Sequence, residues 1–448
     1  MLYWLIKPFV LFALNIFYRI DVRGLKHVPK GVPVVLAPNH MNGFVDPVVL
    51  AMHLPQKVRF FARGDVFKGK FAGWILNQLN VSPMFRIEEG FSEIKKNDKT
   101  FEECRRLLTA DGTLLIFPEG LCVSQRRLQN LRKGLGRIVF QTGESFGFEK
   151  DIVVIPVGVN FLFPTKFRSR VSIDVGTPMS AKKYYDQFRQ DKVRTINEFT
   201  KHLQSEMVNY VSIIKNKEND ELVAWIEEIY THQWLKDNRL DTQSANNRYA
   251  ASREMIAMVN VLDEQKPERI ALLKEKLGPY LKALHKHDLR DHLFREESVE
   301  GMNIGTFILE YVIIYLGMPI YAIGLLMNFP PYLLAKRFAD KKIKKPEFYA
   351  SIRAYLSLML WSLYFLVQLI VVGIISSSWA VLCIYAAGVC LSALYVLKFY
   401  PRMRKIFGRW KLLRMVRKQR KEVEDIVTKR SEAMQALAAV KEEYLKLK

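Results

Sequence analysis

Three apolar stretches in the last third of the chain limit what it can fold into. Phe307 to Leu334 is interrupted by Glu310, Gly317 and Pro319, whereas Leu356 to Ile375 and Trp379 to Leu397 are cleaner runs separated by Ser376-Ser-Ser378. The last two have nearly the length a helix needs to span a bilayer and read as a helical hairpin. Basic loops flank that pair: Lys336 to Lys345 carries six Lys or Arg against one Asp, and Lys398 to Arg420 carries ten with no acid. By the positive-inside rule both loops lie in the cytoplasm. A single crossing by 307–334 would put everything upstream on the opposite side from those loops. Gly317-Met-Pro319 offers a bend and Glu310 is costly in lipid, so this stretch is expected to form a re-entrant or in-plane hairpin bent near Pro319. The upstream region then faces the cytoplasm.

The Lys398 run is interleaved with Ile406, Phe407, Trp410, Leu412, Leu413 and Met415, and it follows an apolar segment directly. That is the pattern of a juxtamembrane amphipathic helix on anionic lipid. Over the whole chain Lys plus Arg outnumber Asp plus Glu by 68 to 45, a formal charge of +23. An anionic partner follows: a membrane surface or a phosphorylated substrate. Nucleic acid is set aside, because no nucleic-acid reader motif accompanies the charge. The four cysteines, Cys104, Cys122, Cys383 and Cys390, have neither metal-ligand spacing nor the pattern of a secreted disulfide framework, so no metal is expected. His285 and His287 are two apart and do not share a helix face, which removes them as a ligand pair. Met1 to Phe17 is apolar and aromatic without a basic start or a small-residue cleavage site, and reads as a retained membrane-associating helix.

From Gly31 to about Thr177 short β-branched runs alternate with longer helical patterns. The expected strands are Pro33–Leu36, Val58–Phe61, Val81–Met84, Thr113–Phe117, Ile152–Val159 and Val171–Val175; the clearest helices are Phe91–Thr109 and Leu131–Ser145. Ile20 to Lys30 reads as a linker. The alternation predicts an α/β domain over 31–180 with a mostly parallel sheet flanked by helices, its functional loops at strand C-terminal ends. Residues 181–300 are charged and helical, with Tyr185, Phe188, Ile196, Phe199, Leu203 and Met207 at roughly helical spacing, and read as a helical insertion packing on that domain. The membrane region follows over 301–400, then a basic amphipathic and charged helix over 401–448. Val423, Ile426, Val427, Met434, Leu437 and Val440 give that last helix a loose apolar face, for a partner or for a solvated position along the membrane.

The stretch Ala37-Pro-Asn-His-Met-Asn-Gly-Phe-Val-Asp-Pro47 carries the chemistry. Residues six apart on one helix point to different sides, so His40 and Asp46 need a strand end, a turn and a helix start to meet. Asn42-Gly43 is a turn signal, and Asp46 before Pro47 reads as an N-cap with proline at the first helical position. A carboxylate so placed holds an imidazole in one tautomer and leaves the second ring nitrogen to take a proton from a substrate hydroxyl. Alone, each residue also has a plain reading, as a helix cap and a loop histidine. Three further elements close strands nearby: Val81-Ser-Pro-Met-Phe-Arg86 with an arginine suited to phosphate, Thr113 to Gly120 with a carboxylate and a glycine, and Ile152 to Val159, whose Pro156 calls for an edge position or a bulge.

In this order the elements resemble the glycerol-phosphate and lysophosphatidic acid acyltransferase family, across roughly residues 20 to 180. Asn39, His40 and Asp46 match its first motif, Val81 to Arg86 its second, Phe117-Pro-Glu-Gly120 its third, and Val153 to Val157 its fourth. The spacer between His40 and Asp46 has five residues where four is common; a subset resembling fungal glycerol-3-phosphate acyltransferases shares the longer form. After Gly120 the family usually continues Thr-Arg-Ser, whereas this chain runs Leu121-Cys-Val-Ser-Gln-Arg-Arg127. The resemblance implies His40 as general base oriented by Asp46, and direct attack of an acceptor hydroxyl on an acyl thioester. Arg86 with Arg126, Arg127, Arg132 or Lys133 would hold the acceptor phosphate, while Glu119 and Gly120 shape the loop or meet the acceptor. The co-substrate would be acyl-CoA or acyl carrier protein, with no further cofactor. Cys122 as nucleophile is disfavoured because no second histidine is placed beside it. Three rivals remain: an altered acceptor such as a lyso-aminolipid, a non-catalytic lipid-binding scaffold, and a transporter, for which no internal repeat speaks.

Overall fold

The computed structural model describes residues 2–67, 69–84, 97–242, 244–295 and 304–448. They divide into two compact units, the first of residues 1–213 with 343–352, the second of 214–342 with 353–448.

The first unit begins with helix α1 (Leu2–Phe17), which feeds strand β1 (Tyr18–Arg23). Then come β2 (Val34–Pro38), α2 (Val45–His53), β3 (Val58–Arg63), α3 (Lys70–Gln78), β4 (Val81–Met84), α4 (Asn97–Thr109), β5 (Thr113–Leu115) and α5 (Gly134–Ser145). The unit continues with β6 (Val153–Phe161), β7 (Ser169–Val175), β8 (Met179–Ser180), α6 (Tyr185–Gln190) and α7 (Lys192–Val208). The strands form one sheet of order β1-β7-β6-β2-β5-β3-β4, with β8 also on β6. Every pairing is parallel except β6 with β7 and with β8. The expected mostly parallel sheet is the one observed. β1 overlaps the start of the stretch Ile20 to Lys30 expected to be a linker. It is an edge strand of charged and apolar residues whose partner, β7, is about 150 residues away, and local pattern does not report such a pairing.

Strand β2 is buried on both faces, as its unbroken Val-Val-Leu-Ala run requires of a central parallel strand. Val34 and Leu36 enter one apolar core, Val35 and Ala37 the other. On the second face α5 presents Leu135, Ile138, Val139 and Thr142, one helical stripe. Tyr185, Phe188, Ile196, Phe199, Leu203 and Met207 of α6 and α7 join that same core. Pro156 corrects an expectation. It lies on β6, which is central, not at an edge. Its missing donor faces the side where β7 ends at Val175 and β8 starts at Met179, while its carbonyl accepts Gly176 N–H at 2.9 Å. The break between those strands leaves no ladder bond for the proline to spoil.

In the second unit α8 (Asp220–Asp237), α9 (Ala245–Gln265), α10 (Pro267–Lys286) and α14 (Arg420–Leu447) close around a core of their own. Asp291 is buried there and accepts from Tyr280 Oη at 3.0 Å, Arg295 Nε at 3.1 Å and Arg430 Nε at 3.0 Å. Between them in sequence run α11 (Ile304–Lys342), α12 (Pro346–Ile375) and α13 (Trp379–Lys418), three helices long and apolar enough to cross a membrane. The hairpin expected at Pro319 is absent. Helix α11 continues through it, because proline removes one donor only, and α13 supports the site: Tyr395 Oη donates to the Gly317 carbonyl at 3.3 Å. Glu310 is paired with Arg409, which lowers the cost that the sequence reading assigned to it.

The apolar face of α14 corrects the last expectation. Val423, Ile426, Leu437 and Val440 are buried against α8–α10 and do not lie along a membrane, whereas Val427 is half exposed. Leu437→Ala should therefore destabilise the second unit by about 2–4 kcal/mol, and Val427→Ala by under about 0.5 kcal/mol. Thermal unfolding in detergent reads the difference; equal effects would mean that this face is not packed.

Candidate active site

Strands β2 and β5 are adjacent and parallel, so the loops that follow them leave the same edge of the sheet. The first carries His40, the second Glu119. Asn39 fastens the end of β2 to β6: its Nδ2 donates to the Val159 carbonyl at 3.0 Å and its Oδ1 accepts Val159 N–H at 2.6 Å. The chain then turns through Asn42-Gly43 into α2.

Asp46 does not cap that helix as expected. Phe44 occupies the N-cap position, and the Asp46 carboxylate points back over the turn. Its Oδ2 accepts from His40 Nδ1 at 2.8 Å and from the backbone N–H groups of Met41 and Asn42, each at 2.7 Å. The peptide donors fix the carboxylate and the carboxylate fixes the ring. A carboxylate is an acceptor, so Nδ1 bears the proton and Nε2 holds the free lone pair. His40 stacks on Phe117 with centroids 3.9 Å apart and 18° between planes, which leaves little freedom about its last torsion. Its side chain keeps 14% exposure while Asp46 has none. The open part of the ring is therefore the part that can meet a substrate.

The loop after β5 runs beside this pair, since Val123 N–H donates to the His40 carbonyl at 3.1 Å. Gly120 turns it with φ +70°, and a Cβ there would lie 3.1 Å from Arg132 Cγ. Glu119 is buried, and its Oε1 accepts no hydrogen bond among the described residues. Burial pushes its carboxyl up to about 8; the backbone N–H groups of His40 and Gln129 pull it down, and the Asp46 charge adds to the rise. At neutral pH Glu119 is mostly the neutral acid, unsuited to be a second base. Cys122, which the sequence reading set aside, has its Sγ within 4.8 Å of the ligand atoms of His40 and Asp46, and accepts Gly43 N–H at 3.1 Å. Burial and then the Asp46 charge push its thiol up, so it is neither a thiolate nucleophile nor a ready metal ligand.

The basic residues are less concentrated. Arg126 donates to the Leu162 carbonyl and Arg127 to Gln125 Oε1 at 3.3 Å. Lys133 is exposed at the N-cap of α5, beside exposed Arg132. Arg86 lies outside the described residues. Sequence reasoning missed Tyr18, whose hydroxyl accepts from Asn42 Nδ2 at 3.3 Å, and the residues of α12 that touch Gly43. Their distance along the chain leaves no local signal.

The family model described as Acyltransferase matches residues 19–160. A chloroplastic 1-acyl-sn-glycerol-3-phosphate acyltransferase of Arabidopsis thaliana is 26% identical over 153 residues, covering 33% of this chain and 39% of the relative. Glycerol-3-phosphate O-acyltransferase 1 of Saccharomyces cerevisiae is 25% identical over 246 residues, covering 53% of this chain and 31% of the relative. An uncharacterized acyltransferase of Schizosaccharomyces pombe is 21% identical over 302 residues, covering 64% and 41%. The chain thus spans well under half the length of these relatives. Among solved structures, a 1-acyl-sn-glycerophosphate acyltransferase of Thermotoga maritima superposes with a TM-score of 0.31 at 18% identity, covering 44% of this chain and 78% of that one.

Because the buried neutral acid is favoured, the stability that Glu119 contributes should be fully present below about pH 4.5 and be lost as pH rises through about 8. The melting temperature of wild type relative to Glu119→Gln should fall across that window. A difference independent of pH would show that Glu119 ionises freely.

Proposed function

We propose, from the premise that residues 19–160 form an acyltransferase-family domain, that this chain is a membrane-bound O-acyltransferase. It moves a fatty acyl group from an acyl thioester, acyl-CoA or acyl carrier protein, to the hydroxyl of glycerol-3-phosphate or lysophosphatidic acid. The observation that carries the reading is the 2.8 Å contact between His40 Nδ1 and the buried Asp46 carboxylate, with the remaining ring nitrogen free for substrate.

His40 Nε2 takes the proton of the acceptor hydroxyl as its oxygen attacks the thioester carbonyl carbon. The imidazolium formed is stabilised by Asp46, whose charge is preorganised by two peptide N–H groups. Collapse of the tetrahedral intermediate breaks the C–S bond, and the leaving thiolate takes the proton back from His40. No acyl-enzyme is needed. Arg86, Arg127, Arg132 and Lys133 are the candidate phosphate contacts, with Glu119 and Gly120 shaping the loop between them and His40. The Arg126 bond to the Leu162 carbonyl withdraws one of these cations, which keeps acylation of another lysophospholipid or a lyso-aminolipid as a second reading.

Residues 343–352 belong to the same compact unit as the sheet, and the basic Lys336–Lys345 segment leads into them. Because residues 1–213 and 343–352 share that unit, α11 in this reading lies along the bilayer without carrying the chain across it, and by the positive-inside rule the acyltransferase domain faces the cytoplasm with the Lys336–Lys345 segment.

The test uses purified protein in vesicles with labelled long-chain acyl-CoA or acyl carrier protein and three acceptors: glycerol-3-phosphate, lysophosphatidic acid and a lyso-aminolipid. Transfer to one of the first two, reduced about 10³-fold or more by His40→Ala and about 10²-fold or more by Asp46→Asn, is the expected result. Undiminished transfer by His40→Ala would remove the mechanism. Transfer to the lyso-aminolipid alone would select the second reading.

A further inference from the structure

The first turns of α12 touch the turn between His40 and Asp46, although about 300 residues separate them in sequence. A Cβ on Gly43 would come within 2.8 Å of the Glu347 carbonyl oxygen and of Phe348 Cδ1, and within 3.1 Å of the Ser351 hydroxyl. The two backbones approach at a distance that only glycine allows. The rings of Phe44 and Phe348 meet with centroids 5.7 Å apart. Ser351 is fully buried at the contact, and its hydroxyl donates to the Phe348 carbonyl at 3.1 Å. The same turn is also tied elsewhere, through Gly43 N–H to Cys122 Sγ and through Asn42 Nδ2 to the hydroxyl of Tyr18.

We propose that the start of α12 is a positioning element of the acyl-transfer site: Glu347, Phe348 and Ser351 hold the Asn42-Gly43-Phe44 turn so that His40 stays on Asp46. None of the three is placed to react. Their effect passes through the turn, whose peptide N–H groups at Met41 and Asn42 are the donors that orient the Asp46 carboxylate. The five-residue spacer gives the turn the length to reach α12, and Gly43 gives it the room. Because α12 continues into an apolar helix, the geometry of the site is tied covalently to a membrane-type segment. The inference rests on His40 and Asp46 being the reacting pair.

The experiment uses the full chain in phospholipid vesicles, with Phe348→Ala, Phe348→Leu, Gly43→Ala and the double variant Gly43→Ala/Phe348→Ala. Phe348→Ala should lower kcat about tenfold with KM for donor and acceptor within about twofold, and Phe348→Leu should restore most of it. Gly43→Ala should lose about a hundredfold, and the double variant no more than that, since the same contact is lost twice. Wild-type kcat in Phe348→Ala, or losses that multiply, would overturn the proposal. A second readout needs no activity. With Cys104, Cys383 and Cys390 replaced by serine, the rate at which a maleimide modifies Cys122 should rise about tenfold in Phe348→Ala at an unchanged melting temperature, because a loosened turn uncovers the thiol. An unchanged rate, or a rise that only follows a lowered melting temperature, would overturn it as well. Full transfer by His40→Ala would instead defeat the acyl-transfer mechanism, and the Cys122 rate would still decide whether α12 holds the turn.

Discussion

The site depends on one buried oxygen. Asp46 Oδ2 takes three hydrogen bonds, two from consecutive peptide N–H groups and one from the His40 ring. A carboxylate with no exposure would be costly without such donors, and with them it is the fixed point about which the turn is built. The peptide donors come from the residues directly after His40, so ring and carboxylate cannot separate without breaking the turn itself. The tautomer and plane of the imidazole are therefore set by the turn, with the free lone pair on Nε2.

The sheet supplies the frame for that turn. Adjacent parallel strands β2 and β5 deliver His40 and the Phe117–Gly120 loop to one edge, and Asn39 locks β2 onto β6 through both backbone groups of Val159. Phe117 then stacks on the ring it is brought beside. Two carboxyl groups at this edge have different chemistry for physical reasons. Asp46 concentrates three donors on its Oδ2, whereas burial pushes the Glu119 carboxyl up and favours its neutral form. Cys122 belongs to the second class, its thiol kept protonated between them.

In the second unit polar pairs stabilise the apolar helices from within. Asn328 of α11 donates to Ser392 Oγ at 3.1 Å and accepts from Trp361 Nε1 at 3.0 Å, and Tyr385 donates to Gln368 at 2.9 Å. Between apolar helices such bonds and close small-residue contacts select the packing, since burial of apolar surface gives no preference among lipid-exposed faces. Gly317 and Gly324 act in that way, admitting Phe399 and Ser392 of α13 against α11.

Much of this was legible along the chain. The alternation of β-branched runs and helical stripes determined an α/β domain with a mostly parallel sheet, because burial on both faces demands unbroken apolar strands and helices to cover them. His40, Asp46, Glu119 and Gly120 stood out because turn, proline and glycine signals are local. The apolar stretches were plain from length alone. What the tertiary structure decided is where distant segments meet. It showed that Asp46 reaches back to the turn instead of capping its helix, that Pro156 sits on a central strand at a break, that α11 runs through Pro319, and that α14 packs into a core. It also brought Tyr18, Cys122 and the start of α12 onto the Asn42–Phe44 turn. Each of these is a contact between residues that share no local pattern, and periodicity reports which face of an element is apolar without saying what will cover it.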